Sequence, residues 1–281
     1  MIKENYKCII CGSDHINVYR ARLAPFLKER LKHIDTNEVS LLYCRNCDFA
    51  YYHPRLSEHD LSFLYKGYRS DGYVAERKQF EIGYTNPVDT PKRVSDYARM
   101  FRDVLDTNKI FFMLDYGGNK GETIPPIFPN AIKCVYEPHD VEPLPGVLQI
   151  RHRQEFDFIM CCHVLEHLPY PGVAIQRILN FSHKGTVLYF EVPLDSLLGT
   201  TVFSSFARKT VAGNRLLLEN YNRLTGKSPD DPRFYMHEHI SHFSPKSLQY
   251  LLLVNGLISK PKVVTIAGVE NVSCFCRVGD K

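Results

Sequence analysis

From residue 94 onward the apolar positions follow two alternating rhythms. Val94, Tyr97, Met100, Phe101, Val104 and Leu105 recur at helical intervals, and the run "KIFFMLDYG" that follows is a continuous apolar stretch of strand length. "IKCVYEP", "VLQI" and "FDFIMCCHV" read as further strands, "GVAIQRILNFS" as a helix, and "GTVLYFEVP" as a strand again. A second helix is marked at both ends, with Ser244 as N-cap, Pro245 in its first position, Leu248, Leu251 and Leu252 on one face, and Gly256 as its stop. "KVVTIAGV" and "SCFCRV" close the chain as two strands. Alternating helix and strand predicts an α/β domain with a mostly parallel sheet.

The first third of the chain has a different texture. Residues 51 to 95 are rich in tyrosine and charge, with Pro87 and Pro91 near their end, and predict short helices bridging two domains. The segment 196–236 is too long for a simple connection in a compact domain and predicts a lid or binding element. Tyr65, Tyr68 and Tyr73 either join it in roofing an acceptor pocket or pack their own helices. The expected division is therefore 1–55, a small cysteine-bearing module; 56–94, a helical bridge and pocket cover; and 95–281, an α/β domain carrying the insertion.

Composition adds limits rather than chemistry. The 281 residues are 44% hydrophobic and 23% charged, as in an ordinary globular protein. No apolar run is long enough to span a membrane, and "MIKENYKC" lacks the segments of a signal peptide, so a cytoplasmic location without a membrane partner is expected. The net charge of +4 is scattered, and "RHR" at 151–153 is its densest basic patch, which argues against nucleic acid. Oligomeric state is not legible here.

In a reducing compartment, nine cysteines point to metal binding or buried thiols rather than disulfides. Cys8 and Cys11 in "CIICG", with Cys44 and Cys47 in "CRNCD", form two C-x-x-C pairs suited to tetrahedral Zn²⁺. Four protein ligands leave no open position, so such a zinc is structural; the other reading is four unrelated thiols. Cys134, Cys161, Cys162, Cys274 and Cys276 lie in apolar runs and are expected in the core.

"LDYGGNKGE" at 114–122 places Asp115, Gly117 and Gly121 after the first strand of the domain, where open α/β sheets bind ligands. Glu137 ends the second strand, at the spacing from which a carboxylate takes both hydroxyls of a ribose. Alone, this pattern is weak, since a glycine turn can serve packing only. Two histidine clusters add candidate proton carriers. "CHVLEH" holds His163, Glu166 and His167, the last two being either scaffold or metal ligands, and "HEHISHF" holds His237, Glu238, His239 and His242.

"FDFIMCCHVLEHLPYP", "GTVLYFEVP" and "EHISHFSPKSLQYLLLVNGL" together resemble class I S-adenosylmethionine-dependent methyltransferases over roughly residues 95–281. The N-terminal double knuckle followed by "DFAYYHPRLSEHDLSFLY" resembles the zinc-bearing front end of bacterial methyltransferases acting on sugars and nucleotide-linked sugars. The resemblance implies a Rossmann-like, mostly parallel seven-stranded sheet with S-adenosylmethionine as cofactor. It assigns Asp115, Gly117, Asn119 and Gly121 to the cofactor loop, Glu137 to the ribose, and His163 to the cofactor crevice. It makes His239 the general base, oriented by Glu238, with His163 as the other catalytic candidate.

Two features depart from the family. Asn119 stands where glycine is usual, although asparagine is the non-glycine residue best suited to a left-handed backbone. The sugar C-methyltransferases also carry a further C-terminal domain not seen in this sequence, which favours methylation of an oxygen. The expected function is O-methylation of a sugar or nucleotide-linked sugar in bacterial surface-polysaccharide or secondary metabolism. An RNA methyltransferase would need a clustered basic face, and a non-catalytic scaffold with a lapsed cofactor loop would show no stabilisation by S-adenosylmethionine.

Overall fold

The computed structural model describes residues 6–68, 70–81, 84, 90–138, 141–194 and 234–279. The larger sheet contains β4 (Phe112–Tyr116), β5 (Ile132–Tyr136), β6 (Val147–Gln149), β7 (Phe156–Cys162), β8 (Ser182–Pro193), β11 (Lys262–Ile266) and β12 (Val269–Arg277). Its order is β11-β12-β8-β7-β4-β5-β6, with the five strands from β8 to β6 parallel, β12 antiparallel to β8 and β11 antiparallel to β12. Strand order reverses between β4 and β7, so a crevice opens beyond their carboxyl ends. The loops that follow those two strands are the glycine turn and the His163 segment.

The helices follow their sequence signals closely. In α6 (Pro245–Val254) the Ser244 hydroxyl accepts from Ser247 N, the Ser247 hydroxyl accepts from Ser244 N, and Gly256 at φ +80° ends the helix. α4 (Thr90–Arg102) presents buried Tyr97 and Phe101 to the sheet, where the Phe101 ring lies 5.0 Å from Tyr189. The helical rhythm read through Val104 overshoots: the helix stops at Arg102, and Val104 is half exposed. α5 (Pro171–Asn180) buries Ala174, Ile175 and Ile178.

A second, five-stranded sheet is built from both ends of the chain. β1 (Ile16–Leu23), β2 (Glu38–Cys44) and β3 (Ala50–His53) form an antiparallel meander. β9 (Phe234–Met236) pairs with β1 and β10 (Ser241–His242) pairs with β3, giving the order β10-β3-β2-β1-β9. Of the expected lid, 196–233 lie outside the described residues; the remainder, 234–236, is strand β9. Three helices, α1 (Pro25–Arg30), α2 (Glu58–Leu64) and α3 (Asp71–Phe80), cover this sheet around Phe26, Leu27, Leu64 and Tyr73.

Arg55 fastens the two sheets at one point. Its guanidinium donates to the carbonyls of Leu168 and Pro169 at 2.8 Å, to that of Ile240 at 2.6 Å, and to the Ser241 hydroxyl at 2.7 Å. A half-buried cation is held there because these acceptors satisfy its rigid fork of donors. The segments carrying His167 and His239 are thereby held side by side. Among the described residues, no helix is long and apolar enough to cross a membrane.

Candidate functional site

The glycine turn after β4 keeps the path of a ligand loop despite its asparagine. Gly117, Asn119 and Gly121 have φ of +75°, +51° and +84°, so Asn119 adopts the left-handed conformation. Its amide side chain donates to Glu122 at 3.0 Å, and its backbone N–H points at Glu137 Oε2, 3.3 Å away. Gly118 is required for a different reason: a Cβ there would sit 2.2 Å from Asp115 Cγ. The Asp115 carboxyl is buried against this turn and accepts a hydrogen bond from the Thr123 hydroxyl at 2.9 Å. Burial raises its pKa to about 7. Asp115 therefore braces the loop from within, while half-buried Glu137 follows β5 directly beside it.

His163 leaves β7 at φ +56°, an uncommon conformation for a non-glycine residue. Its Nε2 lies 3.0 Å from Glu191 Oε1 and its Nδ1 3.4 Å from Glu166 Oε1. Burial alone would lower its pKa, but the Glu166 and Glu191 carboxylates beside it override that and raise it to about 9. His163 is thus an imidazolium at neutral pH, an electrostatic group rather than a proton acceptor. Glu191 is the hub beneath it: Arg93 Nη1 lies 2.9 Å and the Tyr97 hydroxyl 3.0 Å from Oε1, and the Tyr189 hydroxyl 2.6 Å from Oε2. Burial would raise the Glu191 pKa, but these partners hold it below the usual carboxylate range.

A second cluster lies next to the first through Glu166. The His167 and His239 rings meet edge to face at 4.9 Å, and the Tyr65 ring packs edge-on against His167. The Tyr65 hydroxyl is 2.7 Å from His167 Nδ1, which is also 3.1 Å from the carbonyl oxygen of Glu238. Burial lowers the His167 pKa, leaving it neutral. The expected Glu238–His239 partnership takes another form: the Glu238 carboxylate turns to Arg77 Nη2 at 2.5 Å, and the carboxylate grouped with His239 is Glu166. His237 pairs with Glu81 at 3.2 Å, and His242 is buried in β10, so neither joins the cluster. Tyr73 packs against Phe26, whereas Tyr65 reaches the histidines.

The four knuckle cysteines converge at the end of β2, the central strand of the smaller sheet. Cys8 Sγ lies 3.6 Å from Cys47 Sγ and Cys11 Sγ lies 3.5 Å from Cys44 Sγ, and all four sulfurs fall within 4.8 Å of one another. Thiolates at about 2.3 Å from a tetrahedral zinc stand about 3.8 Å apart, so the donor set fits Zn²⁺. The residue after each pair turns left-handed, Gly12 at φ +71° and Asp48 at +58°. The Cys47 thiol lowers the Cys8 pKa to about 5 despite burial.

Sequence reading passed over Gly118, Arg93 and Glu191. Gly118 was visible beside Gly117, and Glu191 as the lone carboxylate in an apolar strand is a usable signal. Arg93 had none.

Residues 95–257 match the family described as methyltransferase domain. No curated protein matches the chain. Among solved structures, it is similar to magnesium protoporphyrin IX methyltransferase of Synechocystis, at 12% identity and TM-score 0.48, over 78% of this chain and 100% of that one. It is similar to 1,6-didemethyltoxoflavin-N1-methyltransferase of Burkholderia thailandensis at 14% identity and TM-score 0.48, over 88% and 99%. Human N-acetylserotonin methyltransferase follows at 15% identity and TM-score 0.45, over 80% and 60%.

Proposed function

The chain belongs to the methyltransferase-domain family and is an S-adenosylmethionine-dependent enzyme; on that premise we propose that it methylates a hydroxyl of a small molecule, a sugar or nucleotide-linked sugar of bacterial surface-polysaccharide or secondary metabolism. The observation that carries this reading is the His167–His239 pair, whose rings meet edge to face at 4.9 Å beside the crevice of the glycine turn.

When bound, S-adenosylmethionine supplies an electrophilic methyl group. Glu137 holds the ribose hydroxyls, and the loop of Gly117, Gly118, Asn119 and Gly121 leaves room for backbone to approach the ligand. Asp115 keeps that loop in shape. The acceptor hydroxyl would meet the His167–His239 pair, and His239 would take its proton. The four cysteines hold a structural Zn²⁺ that keeps the N-terminal knuckles folded.

The test is incubation with S-adenosylmethionine and a panel of nucleotide-linked sugars, with mass spectrometry for the gain of one methylene. On the acceptor so found, His239→Ala should lower turnover about 10² to 10⁴-fold with cofactor affinity unchanged. Methylation confined to RNA, or full turnover by the variant, would overturn the reading.

A further inference from the structure

Glu166 is fully buried, and neither of its carboxylate oxygens accepts a hydrogen bond from a described residue. A buried carboxylate in that condition is costly and calls for a partner. His163 supplies charge on one side, 3.4 Å from Oε1. On the other side stand His167 and His239, and one ligand atom from each of Glu166, His167 and His239 falls within 4.8 Å of the others.

Hydrogen bonding decides which His167 nitrogen faces this space. In the tautomer that satisfies the Glu238 carbonyl, 3.1 Å from His167 Nδ1, the ring proton sits on Nδ1, with the Tyr65 hydroxyl 2.7 Å away accepting there and donating to the same carbonyl. The lone pair is then on Nε2, which faces Glu166 Oε1 at 3.8 Å. That gap is too long for a hydrogen bond, yet short enough for one ion to bridge, since two ligands each about 2.1 Å from a tetrahedral ion stand about 3.4 Å apart. A histidine whose outer N–H is anchored on a backbone carbonyl is the usual arrangement around a bound metal. The anchoring is rigid here: Ile240 N donates to the Glu166 carbonyl at 2.9 Å, and Arg55 ties the same two segments.

We propose that Glu166, His167 and His239 bind a divalent transition-metal cation, distinct from the four-cysteine site, whose open positions take a hydroxyl of the acceptor. Two imidazoles and one carboxylate suit zinc, cobalt, manganese or iron(II) better than magnesium or calcium, which prefer all-oxygen shells. What the ion does rests on the methyltransferase reading above. It acidifies the hydroxyl, whose proton passes to water, and the oxygen then bonds to the methyl carbon as the C–S electron pair goes to sulfur. In that arrangement His239 serves as ligand, and water in its place takes the proton that the ion has acidified.

The experiment titrates Co²⁺ into protein whose cysteine site is already filled with zinc, followed by visible absorption and calorimetry. The expected result is one Co²⁺ per chain with weak d–d bands and no thiolate charge-transfer band. Glu166→Gln and His239→Gln should each weaken binding at least tenfold, while His33→Ala, in the exposed His33, His59 and Asp60 group, should not. Calorimetric S-adenosylmethionine affinity, measured in parallel, shows that each variant is folded and tests the methyltransferase reading separately. No cobalt beyond the cysteine site, binding lost only with His33→Ala, or undiminished binding by folded Glu166→Gln would overturn the proposal. Intact cobalt binding without cofactor binding would instead overturn the enzyme reading.

Discussion

His163 Nε2 and Arg93 Nη1 lie 3.0 and 2.9 Å from the same oxygen, Glu191 Oε1, and this buried carboxylate holds two cations from different elements at the mouth of the crevice. That contact stabilises the fold only while the imidazole is protonated, so its contribution fades at high pH.

The folded pKa of His163, about 9, exceeds the unfolded value of about 6.5. Its contribution to stability is therefore complete below about pH 6.5 and lost as pH rises toward 9. Chemical denaturation across that range should show this decline, and Glu191→Gln should flatten it. Imidazole resonances of His163 should titrate at lower pH in the variant; an unchanged midpoint would mean that Glu166 alone sets the charge.

Gly118→Ala should disable the cofactor loop. The added Cβ would overlap Asp115 Cγ at 2.2 Å, and that side chain is buried and held by Thr123, so the backbone must move instead. A destabilisation of about 1–3 kcal/mol is expected, with loss of S-adenosylmethionine binding by calorimetry. Asn119→Gly, which relieves a left-handed asparagine, should leave affinity nearly unchanged.

Glu137→Ala should weaken cofactor binding by roughly 1.5–3 kcal/mol for each charge-assisted hydrogen bond lost to the ribose. Lys120→Ala should cost much less. Equal affinity of the Glu137 variant and the parent would remove the ribose assignment.

Cys44→Ser should release zinc, measured by metal analysis of protein purified without chelator, and should loosen the packing of Phe49 and Tyr51 beside it. Parent protein without zinc would refute the structural-metal assignment.

Sequence alone determined what depends on local spacing. The strand and helix rhythm dictates the α/β domain because period and burial are set by neighbours in the chain. Ser244, Pro245 and Gly256 mark α6 because capping needs only adjacent residues. The two C-x-x-C pairs and the glycine turn are legible for the same reason. Tertiary structure decided what depends on distant partners. Only the folded chain joins 234–242 to the N-terminal sheet, sets Arg93 on Glu191, turns Glu238 to Arg77, and leaves Glu166 facing His167 and His239. A side chain's charge and partner depend on burial and three-dimensional proximity, and neither is written in the spacing of residues along one strand or helix.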